Sequence, residues 1–226
     1  MRPVRLVTPV TICLLALTLP LLGCSTTRQA RSVETHGFLG DYSQLVEGEG
    51  DQAELVYINE SASFSNYDAV MIDSVTLWKS KATSKISAED QQRLTDSLYK
   101  ALHDQLSADF RMVDRPGPGV LRVRAAITEA VGAVAVANTV TSIVPQLRVL
   151  TTVGGLAADS AMMAGSAAIE AEITDSLSGE RLAAAVDKRL GAKTLRGAFG
   201  KWTSVDNAFE YWAEQLRTRL AELRAS

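Results

Sequence analysis

The sequence predicts an α+β domain: an open, mostly antiparallel sheet with two helices on one face and an Ala/Val/Gly-rich helical insertion. Three observations lead there. Two segments carry apolar residues at helical spacing, Leu94, Leu98, Ala101, Leu102 and Leu106 in one and Val205, Phe209, Trp212, Leu216, Leu220 and Leu223 in the other. Two others alternate with period two, Val120 to Thr128 and Ala167 to Asp175. The order along the chain is strand, helix, strand, strand, insertion, strand, strand, helix, and one sheet face covered by both helices would bury every stripe.

Taken in order, Gly37 to Leu45 places Phe38, Tyr42 and Leu45 on one side of a short helical turn, a strap packed on the domain. Glu47 to Gln52 is a Gly- and acid-rich turn, and Leu55 to Ile58 a short strand. Tyr67 to Trp78 reads as one long strand, with Val70, Ile72 and Ser74 on one face and Met71, Asp73 and Val75 on the other. Ser87 caps the first helix, with Asp90 completing an acidic capping box. Phe110 to Asp114 is a brief strand, and Arg115-Pro116-Gly117-Pro118-Gly119 turns the chain. The first crossover, strand–helix–strand, is compatible with parallel pairing.

In Val120 to Thr128, Leu121, Val123, Ala125 and Ile127 face the core, while Arg122, Arg124 and Thr128 face out. Ala167, Ile169, Ala171 and Ile173 oppose Ala168, Glu170, Glu172 and Thr174. Asp175 to Glu180 is a hairpin turn into a strand from Leu182 to Arg189, Lys193 to Lys201 is loop, and Ser204 opens the last helix. Between the two halves lies Ala130 to Gly165, too long for a bare connection. Pro145 fits a first helical turn, and a helix from Gln146 to Ala164 follows. Gly154 with Ala158, and Ala157 with Ala161, would allow another backbone close. Packing on its own domain is the simpler expectation; self-association or membrane contact is the other.

The N-terminus locates the rest. Arg2 and Arg5 precede an apolar run from Leu6 to Leu22, which ends in Leu21-Leu22-Gly23-Cys24. This is a lipoprotein signal peptide, residues 1–23, with a lipobox: cleavage falls between Gly23 and Cys24, and the Cys24 thiol takes the lipid. Pro9 and Pro20 interrupt the run, which is short for a span. Diacylglycerol plus an amide-linked chain such as palmitate would anchor the protein stably. Ser25, in place of an Asp, favours the outer membrane. Residues 24–36 read as a flexible tether and 37–226 as one domain holding the insertion 130–165.

Removing the signal takes two of 23 basic side chains and none of 26 acidic ones, so the mature chain carries −5. That argues against a nucleic-acid partner. Of two cysteines, Cys13 leaves with the signal and Cys24 is acylated. No thiol is left for a disulfide, a metal or a nucleophile.

Gly37-Phe38-Leu39 with Asp41-Tyr42, and Val113-Asp114-Arg115-Pro116-Gly117 leading into Leu121-Arg122-Val123-Arg124, form one set of motifs. Ile169-Glu170-Ala171-Glu172, Asp175-Ser176, Ser178-Gly179-Glu180, Ala208-Phe209 and Tyr211-Trp212-Ala213 form another. Together they resemble a family of bacterial lipoproteins catalogued as domain of unknown function 3313. The resemblance implies a cell-envelope lipoprotein and brings no activity or site residues.

Tests for chemistry return little. Ser97-Leu98-Tyr99-Lys100 has the Ser-x-x-Lys spacing of penicillin-binding enzymes but lacks their other two motifs. His36 and His103 have no ligand-spaced partner. Gly154-Gly155 lacks the Lys of a phosphate loop. Glu170 and Glu172 share a strand face, which suits paired-carboxylate catalysis, but a solvated face with cross-strand pairs to Arg122 and Arg124 predicts the same residues. Trp202, Tyr211 and Trp212 read mainly as core. No catalytic residue, cofactor site or metal site is expected. The expectation is a non-enzymatic periplasmic lipoprotein held at the outer membrane through Cys24, binding an envelope protein or itself. A hydrolase using the outer-face carboxylates and an accessory subunit of lipid transport are the alternatives, the second requiring an apolar groove.

Overall fold

The computed structural model describes residues 27–30, 32–132, 165–191 and 200–226. The strands are β1 (Thr27–Gln29), β2 (Val46–Glu47), β3 (Leu55–Ile58), β4 (Ala69–Ile72), β5 (Thr76–Leu77), β6 (Arg111–Met112), β7 (Val120–Val131), β8 (Ser166–Asp175) and β9 (Arg181–Gly191). The helices are α1 (Ala88–Leu106) and α2 (Thr203–Ala225). Among the described residues the nine strands form one sheet in the order β2-β3-β9-β8-β7-β4-β6, with β1 also on β9 and β5 also on β7. Pairing is antiparallel from β2 through β7, and β4 is parallel to both β6 and β7, as the helical crossover through α1 allows. The fold class read from the sequence is the one observed.

Both helices form for local reasons. The Ser87 side chain accepts from the Asp90 amide, and Glu89 and Asp90 place negative charge at the positive end of α1. α2 begins at Thr203, one residue before the expected Ser204, with no side-chain cap. Its first-turn Asp206 instead receives the Arg93 guanidinium at 2.5 Å and the Ser97 hydroxyl at 2.9 Å, tying it to α1. All five stripe residues of α1 are buried. On α2, Val205, Phe209, Trp212 and Leu220 are buried, while Leu216 and Leu223 pack against the core from its edge. These stripes meet Leu121, Val123, Ala125, Ile127, Ala167, Ile169 and Ile173 on one sheet face.

Two expectations about strands change. Tyr67 to Trp78 is not one strand. Ile72 pairs with Val123 but Thr76 with Ala126, so four residues on one strand answer three on the other. The extra residue near Asp73 reverses the alternation, which is why Val70, Ile72 and Val75 all reach the core. Thr128, expected to face out, is fully buried. Register slips between Ile127 and Glu129, so Thr128 is the unpaired residue of a bulge, and its carbonyl accepts from the Ser80 hydroxyl at 2.8 Å.

The N-terminal segment also differs. Residues 27–29 of the expected tether are β1, paired antiparallel to β9 with Thr27 buried. The strap does pack on the domain, but through turns and bends rather than a helix. The helix expected from Gln146 to Ala164, its small residues, the Gly154-Gly155 pair, Gly23 and Cys24 lie outside the described residues, as does the Lys193 to Phe199 part of the expected loop. No helix among the described residues is long and apolar enough to cross a membrane.

Candidate functional site

The outer face of the sheet, away from the helices, is organised around Glu170. Sequence alternation placed this side chain in solvent; it is fully buried. The strap runs over it and fills its oxygens. Oε1 accepts the His36 amide at 2.5 Å, and Oε2 accepts the Phe38 and Leu39 amides at 3.1 and 3.3 Å. The Tyr42 hydroxyl donates to Oε2 at 2.5 Å, and His36 Nδ1 stands 3.7 Å from Oε1. Gly37 and Gly40 have positive φ, 95° and 74°, which lets successive amides converge on one anion. Burial, and next the bond to Glu170, push the Tyr42 phenol above its ordinary value. Gly37-x-x-Gly40 is the sequence feature that accompanies this turn, and it does not say which of 26 acids is meant.

Glu172 is buried beside it. The expected cross-strand pair with Arg124 is present, and Arg181 supplies the second cation at 3.0 Å. Arg181 reaches on to the strap, donating to the Leu39 carbonyl at 2.9 Å and the Asp41 carbonyl at 2.8 Å. Arg124 stacks its guanidinium on the Phe38 ring at 5.1 Å. Arg122 does not join; it forks onto Asp73 instead. The two carboxylates are therefore neither solvated nor set in an accessible acid–base pair. Their lone pairs hold the strap, and Leu39, Ala184 and Val186 form a small apolar layer beneath it.

The remaining candidates disperse. Ser97 donates to Asp206 and Lys100 pairs with Asp104, so the Ser-x-x-Lys residues do not meet. His103 is part-exposed and stacks on Tyr99. The indole of Trp202 donates to Asp90 at 2.7 Å, and that of Trp212 to buried Asp187 at 2.7 Å. Among the described residues no cluster of three or more His, Cys, Asp or Glu could hold a metal.

The inner face holds a feature that sequence patterning did not show. Val56, Ala185, Ala171 and Ala125 are register partners across β3, β9, β8 and β7, forming a row of small side chains. Ala171 lies on a strand flanked on both sides and under the helix layer, yet it is only half-buried, as are Ala183 and Ala185. α2 does not settle onto this floor. A cavity of about 160 Å³ remains, roofed by Trp212, Leu216, Leu220 and Leu223, and its lining is almost wholly apolar. Native interiors seldom leave a void much larger than a water. Asp187 borders it, but its oxygens are occupied by Trp212, Gln29 and the Glu54 amide. Asp51, exposed, and Arg219, part-exposed, are ion-paired at the mouth.

This is an α+β sheet domain clasped on its outer face and incompletely filled on its inner one. The chain belongs to the family described as protein of unknown function (DUF3313), which matches residues 34–216. No curated protein matches it. Among solved structures it is similar to the PelC dodecamer of Paraburkholderia phytofirmans at 11% identity and TM-score 0.39, covering 72% of this chain and 94% of that one. A Caulobacter crescentus protein provisionally described as a lipoprotein gives 9% identity and TM-score 0.34, covering 72% and 91%. A DUF330 protein of Xanthomonas campestris gives 11% and 0.34, covering 72% and 86%. Likenesses this weak carry no functional argument.

Proposed function

We propose that this protein is a non-enzymatic lipoprotein of the bacterial cell envelope, anchored in the outer membrane through lipid on Cys24, with its domain in the periplasm. The observation that carries the non-enzymatic reading is the saturation of Glu170. The acid best placed for catalysis accepts three backbone amides and a phenol, so its oxygens serve the strap. The anchor rests on Leu21-Leu22-Gly23-Cys24, and the outer membrane on Ser25. The partner is an envelope component, a protein or a second copy of the chain. The hydrolase alternative loses support, since Glu172 is likewise held between Arg124 and Arg181. The lipid-transport alternative gains a specific observation, the apolar cavity under α2. Growth with a fatty-acid probe tests the anchor: the wild type takes up label and Cys24→Ala does not. Equal labelling of both forms would refute it, and density fractionation of the labelled envelope tests the choice of membrane.

A further inference from the structure

We propose that the cavity between α2 and the alanine row binds one acyl chain of a membrane lipid, with the polar head at the Asp51–Arg219 rim. Shape comes first. Four register-matched positions on adjacent strands make a trough about 14 Å long by ordinary strand spacing, and three of the four are alanine. The rows on either side of it carry Val123 with Ile173 and Ile127 with Ile169, packed in the core with the helices. The volume of about 160 Å³ resembles an apolar cavity that holds a benzene, or about six carbons. A longer chain continues along the trough to the mouth.

Chemistry selects hydrocarbon. The lining is almost wholly apolar, and its two buried carboxylates are engaged, Asp187 by Trp212, Gln29 and the Glu54 amide and Glu172 by Arg124 and Arg181. Water entering the trough would find few partners, whereas methylenes lose nothing there. At the rim, Arg219 and Asp51 can trade their mutual contact for the anionic and cationic parts of a head group. An aromatic ligand would fill only part of a long trough, and a polar peptide would strand its amides. The inference deepens the envelope reading, on which it rests only for the supply of lipid.

The test uses purified full-length protein with nanodiscs and two photoreactive probes: a diazirine-bearing stearate, and a phosphatidylethanolamine carrying the same chain. After irradiation, adducts should map to α2 between Tyr211 and Leu223 and to β9 between Ala183 and Asp187. Labelling by both probes, or by one, identifies free acid or phospholipid as the source. Ala185→Leu should cut the adducts at least tenfold while the melting midpoint stays level or rises, because the new side chain occupies the trough. Ala221→Leu, on the exposed side of α2, should change nothing. If Ala185→Leu does not fold, Ala171→Val read at an unchanged midpoint decides. Absence of adducts on these segments in the wild type, or undiminished adducts in a folded trough-filling variant, overturns the proposal. Should Cys24 carry no lipid, the protein stays out of the disc, and the soluble stearate arm still reads the cavity.

Discussion

At the scale of single residues, Glu170 decides how residues 36–42 lie. Each bond from a strap donor to this buried carboxylate is charge-assisted, and removing the acceptor leaves amides under the strap without a partner. Glu170→Gln puts an amide NH₂ among donors, so a loss of about 2–4 kcal/mol is expected. Tyr42→Phe removes one donor and should cost about 1–2 kcal/mol. Urea midpoints measure both, and limited proteolysis should show earlier cleavage at 36–45 in each variant. Asp175 makes a second residue-scale case. Its carboxyl is held below its ordinary value, first by the Ser178 amide, against a smaller opposing effect of burial, and Oδ1 accepts the Leu177 and Ser178 amides at 3.0 and 2.7 Å. Tyr67 donates to its other oxygen, and burial followed by that bond pushes the phenol up to about 12. A depressed folded-state pKa contributes stability that is complete above the unfolded value and disappears as pH falls through the folded one. The midpoint difference between wild type and Asp175→Asn should therefore be flat from pH 7 to about 5 and shrink only below about 4. A difference that shrinks between pH 7 and 5 would contradict that assignment.

At the scale of elements, what the sequence made legible was what local periodicity controls. The five buried residues of α1 and the apolar face of α2 followed from 3.6-residue spacing, and the Ser87 cap from its neighbours. Burial of Glu170 was not legible. Its own strand alternates as a half-solvated strand should, and the segment that covers it arrives from more than 130 positions away. The break at Asp73 and the bulge at Thr128 were hidden for a related reason, since register belongs to a pair of strands and not to either sequence alone. Of the alanine floor, alternation placed Ala125 and Ala171 inward, but the row across four strands depends on register and the space above it on packing at a distance. The helix layer predicts its own energetics. Leu98 is fully buried, so Leu98→Ala should cost about 2–5 kcal/mol. Trp212→Ala should cost about 3–5 kcal/mol, and Trp212→Phe, which keeps much of the ring but strips Asp187 of the indole donor, about 1–3 kcal/mol. Ser97→Ala should stay within about 1 kcal/mol, since its partner Asp206 keeps Arg93. Denaturant midpoints order the four variants.

On the scale of the molecule, the chain before β4 acts as a wrap around β9. β1 pairs with residues 189–191 of that strand and β3 with residues 183–186, end to end along it. Between these two pairings the chain leaves the strand, crosses the outer face to reach Glu170 and Arg181, and returns through β2. The sheet is thus closed on one face by helices that bring their own apolar stripes. The other face is closed by a strap with little regular structure, which depends on buried charge for its placement. The two covers should fail differently. A chain starting at residue 32 loses β1 alone, including the bonds from Arg189 to the Thr27 hydroxyl and carbonyl. It should fold with a lowered midpoint, because Glu170, Glu172 and the Ala184–Val186 layer stay covered. A chain starting at residue 46 also loses the strap. It uncovers Glu170, whose donors have gone, and a layer of apolar surface next to it, while Glu172 keeps Arg124 and Arg181. The charge-assisted bonds from the strap to Glu170 go with it, at about 1.5–3 kcal/mol each, a large part of the stability of a typical domain. The longer truncation should collapse soluble yield or bind a hydrophobic dye. Equal midpoints for the two truncations would show that the strap is ornamental to folding and that Glu170 tolerates solvent.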